Sequence, residues 1–142
     1  MPDDSFLHNC LFFTANRLSR AITKMAEEEF AVTGLTPMYG YLIRLAIMTP
    51  GISQKELSEK LSITASTLTR FVDKLESKQL VERKVNGKTV LIYPTAKGLE
   101  LEEAIRRASK NMRQRFEAIL GTELSDRLTK EIERVSEQLE KH

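Results

Sequence analysis

The stretch Gly51–Gly98, GISQKELSEKLSITASTLTRFVDKLESKQLVERKVNGKTVLIYPTAKG, decides the fold of this chain. Ser53 followed by Glu56 has the spacing of a capping box, which starts a short helix. Ser62-Ile63 then turns the chain, and Thr64 can cap a second helix. The apolar residues of this second helix recur at i, i+3, i+4 and i+7 and form a buried stripe: Leu68, Phe71, Val72 and Leu75. The pattern predicts a helix-turn-helix over residues 53–78.

The opposite face of the second helix is polar. It carries Ala65, Ser66, Thr67, Thr69, Arg70, Asp73 and Lys74. Small hydroxyl side chains near the start of the helix can approach a DNA groove closely, and cations further along can neutralise phosphates. A solvated helix face would have a similar composition, so the flanking sequence has to decide between the two interpretations.

The flanking sequence is a basic hairpin at residues 81–93. Apolar Val81, Val85, Val90 and Ile92 are interspersed with basic Arg83, Lys84 and Lys88. Asn86-Gly87 between two β-rich runs is a strong hairpin signal. A helix-turn-helix followed by a basic ribbon is a winged helix, whose second helix can enter the major groove while the ribbon follows the backbone. The flank therefore favours DNA binding.

Charge placement supports the same interpretation. The chain has 142 residues, enough for one domain with a sizeable core, and a net charge of +2. Seven basic residues against three acidic ones lie between Arg70 and Lys97, so this segment is positive and the remainder is slightly negative. A local basic footprint on a nearly neutral protein indicates a polyanionic partner.

Long amphipathic helices are predicted on both sides of residues 36–94. Residues 5–32 carry two adjacent apolar stripes, with Gly34 as a C-terminal cap, and Thr36-Pro37 starts the next helix. Thr95 opens another long helix with apolar residues at helical spacing; Gly121 ends it, and Thr122 can cap a last helix. These stripes exceed what one subunit can cover, so the segments 5–32 and 95–142 are predicted to form a homodimer.

Catalysis finds little support in the sequence. The two histidines are His8 and His142, and phosphate-binding loops, H-E-x-x-H and G-x-S-x-G are absent. We expect no enzyme activity, cofactor or metal. The single cysteine, Cys10, cannot form an intrachain disulfide, and the sequence contains neither a signal peptide nor an apolar run of membrane-spanning length. We therefore expect a cytoplasmic protein without a membrane partner.

The chain resembles the MarR family of transcriptional regulators over nearly its whole length. The most specific motifs are ISQKELSEKLSITASTLTRFVDKLESKQLVER and VLIYPTAKG, preceded by LTPMY at Leu35–Tyr39. The resemblance implies a mainly α fold with a small β-hairpin wing (α+β), one domain over residues 1–142, and a homodimeric DNA-binding regulator, expected to be a repressor. The wing departs from the family, whose members usually carry Asp-x-Arg near the tip. Here the tip is shorter, and the minor-groove role could pass only to Lys88.

Within this interpretation, residues can be assigned to roles. The recognition helix supplies Thr64, Ala65, Ser66, Thr67, Thr69, Arg70 and Lys74, of which Arg70 could fork onto a guanine or bind a phosphate. Backbone and wing contacts are assigned to Gln54, Lys55, Arg83, Lys84, Asn86 and Lys88. Family members often bind a small aromatic or apolar effector between the dimerisation helices and the winged helix, and the candidate lining residues here are Phe13, Arg17, Tyr39 and Arg44.

Two alternatives stay open. Cys10 is similar in placement to the sensing cysteine of the redox branch of the family, although Lys24 and Gly40 stand where that branch has tyrosines. A buried apolar role in a dimer core would suit Cys10 equally well. The second alternative is a winged helix that docks an acidic protein partner and lacks specific DNA binding.

Overall fold

The protein is a mainly helical chain with a small antiparallel sheet, as described by a computed structural model covering residues 2–142. The element order is α1 (Ser5–His8), α2 (Leu11–Phe30), a 3-10 turn (Ala31–Thr33), α3 (Pro37–Met48), β1 (Ile52–Ser53), α4 (Gln54–Leu61), α5 (Ala65–Ser77), β2 (Val81–Asn86), β3 (Thr89–Pro94), α6 (Ala96–Leu99), α7 (Glu102–Leu120) and α8 (Thr122–Glu140). The predicted fold class, a winged helix-turn-helix flanked by long helices, is confirmed.

The predicted helix-turn-helix consists of α4 and α5. The Ser53 hydroxyl accepts a hydrogen bond from the Glu56 N–H at 3.1 Å, and the Thr64 hydroxyl accepts one from the Thr67 N–H at 3.2 Å, so each helix starts at the predicted cap. Ser62 turns the chain between them with a φ of 55°. Three members of the predicted stripe of α5, Leu68, Val72 and Leu75, are fully buried, and Phe71 is half-buried.

The sheet has the strand order β1-β3-β2. In the hairpin, Val81 pairs with Pro94 and Asn86 pairs with Thr89. The two loop residues are therefore Gly87 and Lys88, one position later than predicted, and Gly87 adopts the positive φ of 64° that the tight turn requires. The short strand β1 was not predicted. It pairs with β3 through Ile52 and Ile92 and thereby attaches the start of the helix-turn-helix to the wing.

The predicted continuous helix over residues 5–32 is wrong, because the chain breaks at Asn9-Cys10. The Asn9 side-chain amide donates to the Ser5 carbonyl at 3.1 Å and closes α1, while Cys10 is extended, with φ −105° and ψ 119°. The predicted end of the segment is confirmed, since Gly34 follows the 3-10 turn with a φ of 74°.

The long helix predicted from Thr95 is also interrupted. Thr95 caps only the four-residue α6, the chain then turns through Glu100 and Leu101, and α7 starts at Glu102. At the other end of α7, Gly121 itself occupies the N-cap of α8 with a φ of 85°, so the prediction that Thr122 caps this helix is wrong. A positive φ is accessible to glycine without strain and suits a sharp bend between two long helices.

Residues 95–98, which we call the clamp, hold the C-terminal end of α5. Thr95 donates its N–H to the Leu80 carbonyl at 3.1 Å and its hydroxyl to the Gln79 carbonyl at 2.7 Å. The Lys97 ammonium donates to the Lys78 carbonyl at 3.0 Å. Three consecutive carbonyls after α5 thus have partners in one short turn, which fixes the end of α5 to the chain that leads into α7.

The core lies where α3, α5, the sheet and α7 meet. Its largest fully buried side chains are Phe30, Leu42, Ile43, Leu57, Leu68, Leu75, Ile92 and Ile105. Away from this core, Arg115 of α7 bonds Glu29 at 2.9 Å and Glu28 at 3.3 Å at the end of α2, and these carboxylates raise the pKa of the guanidinium. Hence α7 is tied to α2 as well as to the winged helix.

Within residues 2–142, no single helix is both long enough and apolar enough to cross a bilayer. Only Leu11–Thr33 and Pro37–Met48 taken together have the required length and composition, and these two segments meet at an angle of 57°.

Candidate nucleic-acid interface

The start of α5 presents a connected set of hydroxyl groups to solvent. The Thr64 hydroxyl donates to the Thr67 hydroxyl at 2.9 Å and lies 3.3 Å from the Ser66 hydroxyl. The Arg70 guanidinium, one turn further along, donates to the Thr67 hydroxyl at 3.3 Å. This bond orients the Arg70 side chain along the helix face while leaving most of its five donors free.

The predicted recognition residues lie on one side of α5. Ala65, Ser66, Thr69, Arg70 and Lys74 are exposed, and Thr67 is half-buried. Thr69 directs its hydroxyl back to the Ala65 carbonyl at 3.0 Å, so its methyl group rather than its hydroxyl is available at the surface. This face combines apolar methyl groups, hydroxyl donors and one guanidinium, which are the groups that contact base edges in a major groove.

A groove of about 400 Å³ separates the start of α5 from the wing tip. Its lining combines Gln54, Lys55, Ala65 and Lys88, four residues that the sequence assigned to DNA contact, with Ser53, Ser58, Thr89 and Val90. Lys55 of α4 and Lys88 of the wing tip both bring positive charge to this groove. Thr89 was not predicted, although the hairpin register, once known, assigns it to this edge as the partner of Asn86.

The remaining wing residues differ in whether their side chains contact other residues of the protein. Asn86 and Lys88 are exposed near the turn. Lys84 is also exposed, but its ammonium lies 4.7 Å from the centre of the Tyr93 ring on the neighbouring strand, a cation–π contact that keeps the lysine close to the sheet.

Arg83 is engaged with other residues of the protein. Its guanidinium donates to Gln54 and Glu76, both at 3.0 Å, and to the Thr69 carbonyl at 3.1 Å. It also forms an ion pair with Asp73. The side chain is 21% exposed. Because these bonds already occupy the guanidinium, they disfavour the predicted direct contact of Arg83 with phosphate.

The five candidate effector or redox residues lie in two regions. Cys10 is half-buried at the N-cap of α2, followed by Phe13, which packs edge-to-face on His8, and by exposed Arg17. On α3, Tyr39 packs edge-to-face on Phe71 at 4.9 Å between ring centres, and Arg44 is half-buried. The two aromatic candidates therefore already have packing partners within the chain.

A larger apolar groove lies elsewhere, between α2, α7 and α8. It has a volume of about 430 Å³ and is lined mainly by apolar side chains, including Leu18, Ile22, Phe116, Leu128 and Ile132. We call it the interhelical groove. None of the candidate effector residues lines it. The signal in the sequence was the set of apolar stripes on these three helices, which predicted a protein interface rather than a cavity.

Comparison with known proteins supports the assignment of the fold. A sequence model of the MarR family matches residues 42–86, which run from α3 to the end of β2. The uncharacterized HTH-type transcriptional regulator YybA of Bacillus subtilis (strain 168) is 30% identical over 98 residues, covering 66% of this chain and 65% of that protein.

Solved structures match over almost the full chain. The transcriptional repressor CouR bound to p-coumaroyl-CoA superposes with a TM-score of 0.85 at 20% identity, covering 96% of this chain and 98% of that one. CouR bound to a 23-mer DNA duplex gives a TM-score of 0.80 at 21% identity, covering 96% and 99%. The fold and its exposed second helix define a winged helix-turn-helix protein. Over its winged helix-turn-helix the chain is similar to the MarR family, and the relative and the structures that it resembles are transcriptional regulators.

Proposed function

We propose that this protein is a sequence-specific DNA-binding transcriptional regulator that represses by occupying a palindromic operator as a homodimer. The observation that carries the proposal is the open face of α5, where hydroxyl groups and the Arg70 guanidinium point to solvent beside a groove flanked by Lys55 and Lys88. CouR, which has the same fold, is a repressor known in a DNA-bound form.

Selection of bound sites from random duplex DNA tests this function directly. The wild-type chain is expected to enrich a palindrome and to bind it at least about a thousandfold more tightly than random duplex, as specific DNA readers do. Equal binding of all sequences would reject sequence-specific regulation and would favour the alternative, a winged helix that docks an acidic protein.

Arg70 is expected to be the main base-reading side chain. Replacing Arg70 with alanine should weaken binding to the selected palindrome by about tenfold to a hundredfold and relax preference at one position in each half-site, because a bidentate contact to guanine is lost. Fluorescence anisotropy with single-base variants of the palindrome measures both effects. Lys110→Ala, which removes a cation from the exposed face of α7, is the control for the change in net charge.

Lys88 at the wing tip is expected to contact phosphate only. Lys88→Ala should weaken all duplexes alike and reduce the slope of log affinity against log salt by about two per bound dimer, because each subunit loses one phosphate contact. Affinities for the palindrome and for random duplex, measured between low and moderate salt, would show both the uniform loss and the smaller slope. A selective loss on the palindrome would instead show that Lys88 reads bases.

The homodimer is supported by the apolar side chains that this subunit leaves exposed. Nine of the 13 exposed large apolar residues lie on the first two helices, the end of α7 and α8: Phe6, Leu11, Phe12, Leu18, Ile22, Ile119, Leu120, Ile132 and Leu139. Large apolar side chains exposed in this number on neighbouring helices are typical of an interface between subunits. Two copies related by a twofold axis would present two α5 helices to successive turns of a duplex.

Regulation by a small apolar or aromatic effector is the finer part of the proposal. CouR binds p-coumaroyl-CoA, a ligand with an aromatic acyl group. An effector would act on this chain only by binding one spacing of the two α5 helices more tightly than another.

The thiol alternative rests on the placement of Cys10 at the N-cap of the 20-residue α2. In that case, one equivalent of hydrogen peroxide should release the wild-type protein from its palindrome, and Cys10→Ser should abolish the response. Anisotropy before and after oxidation checks this, with dithiothreitol to restore binding. Unchanged binding by the oxidised wild-type protein would leave Cys10 as a packing residue.

A further inference from the structure

Arg83 connects three elements of the winged helix. It lies on β2, yet its guanidinium bonds reach Gln54, the first residue of α4, and three positions along α5. Those positions are the Thr69 carbonyl, the Asp73 carboxylate and the Glu76 carboxylate. The backbone N–H of Arg83 also donates to Glu76, at 3.2 Å. One side chain therefore joins the wing, the first helix and the recognition helix.

The three contacts on α5 share one face of the helix. Residues 69, 73 and 76 follow the i, i+4, i+7 spacing of a single stripe, and Arg83 spans two turns of it. A rotation of α5 about its axis, or a tilt of the wing away from it, would break several of these bonds together. Because a guanidinium is planar, its donors also restrain the direction from which each partner approaches.

All three nitrogens of this guanidinium have acceptors within the protein. Nε bonds Gln54, Nη1 bonds Glu76, and Nη2 serves both the Thr69 carbonyl and Asp73. Two carboxylates face the single positive charge, so the group as a whole is negative. A DNA phosphate brought to this point would meet a cation that is already neutralised.

This arrangement also explains how a short wing without Asp-x-Arg keeps its orientation. Lys88 at the tip is an exposed lysine next to Gly87 and has no carboxylate to brace it in the structure of residues 2–142. The restraint lies instead at the base of the ribbon, in the Arg83 bonds and in the contact between Lys84 and Tyr93.

From this geometry we infer that Arg83 is a positioning residue for sequence recognition: it fixes α5 against the wing and α4 and makes no contact with DNA phosphate. The inference rests on the proposed function, since it concerns the accuracy with which α5 meets base edges. Arg83 thus contributes to specificity through Arg70 and the hydroxyl groups of α5, which lie on the same helix.

Arg83→Lys separates positioning from phosphate binding. Lysine keeps the positive charge and could still neutralise a phosphate, but it cannot bond Gln54, Asp73, Glu76 and the Thr69 carbonyl in one plane. We expect Arg83→Lys and Arg83→Met to lose about tenfold or more of the preference for the selected palindrome over random duplex. In Arg83→Lys, which keeps the positive charge, binding to random duplex and the salt slope should stay within error of wild type, because no phosphate contact is removed.

Lys88→Ala is the matched control on the same ribbon, with the opposite expected pattern of a lower salt slope and an unchanged preference. Circular dichroism and thermal unfolding establish that each variant is folded. Asp73→Asn, at an exposed partner of Arg83, provides a second route should the Arg83 variants fail to fold, and it should reduce the preference in the same direction.

The outcomes divide clearly. A lower preference in Arg83→Lys with an unchanged slope supports positioning. Wild-type behaviour in Arg83→Lys together with a salt slope reduced by about two in Arg83→Met, one for each subunit, would identify a phosphate contact and overturn the inference. Unchanged preference in both variants would overturn it too. If the wild-type protein itself shows no preference, the proposed function has failed, which the wild-type measurement reports independently of the variants.

Discussion

Replacing Gly98 with alanine is expected to lower the free energy of unfolding by about 2–3 kcal/mol, the range for a methyl group forced into filled space. A Cβ built at residue 98 would lie 2.2 Å from the Leu80 carbonyl oxygen, and that oxygen already accepts the Thr95 N–H. A backbone carbonyl cannot move aside as the end of a flexible side chain can. To accommodate the new methyl group, the clamp must therefore open or α5 must shift.

The midpoint of thermal unfolding at a fixed protein concentration measures this effect, with an expected decrease of roughly 10 °C. Glu100→Ala is the matched control, because it introduces the same residue two positions away on an exposed side chain, and it should change the midpoint little. A midpoint for Gly98→Ala close to that of wild type would mean that the clamp adapts and does not fix the end of α5.

Replacing Ile119 with glutamate is expected to convert the protein to a monomer and to weaken operator binding by at least about a hundredfold. Ile119 is 70% exposed in the single subunit and lies at the end of α7 on the wall of the interhelical groove. Burying an unpaired carboxylate in an apolar interface is costly. A monomer also loses the gain in affinity that comes from linking two binding sites.

Analytical ultracentrifugation and anisotropy on the palindrome measure the two consequences together. Asn111→Glu adds the same charge to the polar face of α7, near Arg107 and Lys110, and should leave both the dimer and its DNA affinity intact. An Ile119→Glu protein that remains dimeric would exclude the end of α7 from the interface.

The centre of the fold could be predicted from the sequence because its signals are local. The caps at Ser53 and Thr64 and the buried stripe of α5 depend on residues within two helical turns, and the structure confirms them. Hairpin chemistry was equally local, although an error of one residue moved the turn from Asn86-Gly87 to Gly87-Lys88.

The helix breaks could not be predicted, because apolar periodicity continues across them. Nothing in the spacing of residues 5–32 distinguishes the extended Cys10 from a helical residue. The interruption after α6 coincides with a long-range contact, the approach of Gly98 to Leu80, which a pattern within one segment does not contain.

Arg83 illustrates the same limit at the candidate site. As a basic residue on a basic ribbon, it looked identical to Lys84 and Lys88 in the sequence. Its partners on α4 and α5 lie 7 to 29 residues away, and only the packed structure brings them to one guanidinium. Charge pattern alone therefore indicates a candidate surface for DNA, but it does not show which cation within that surface already has acceptors in the protein.

The clamp at residues 95–98 has a consequence for signal transmission. Since three successive peptide oxygens after α5 are held by the turn that precedes α7, the two helices are joined almost without slack. A displacement of α7 would therefore carry α5 with it, and in the proposed homodimer the twofold axis would double the change in the distance between the two α5 helices. Because the clamp is stiff, a small shift of the long helices would change the spacing of the two α5 helices, which would then no longer match the helical repeat of the duplex.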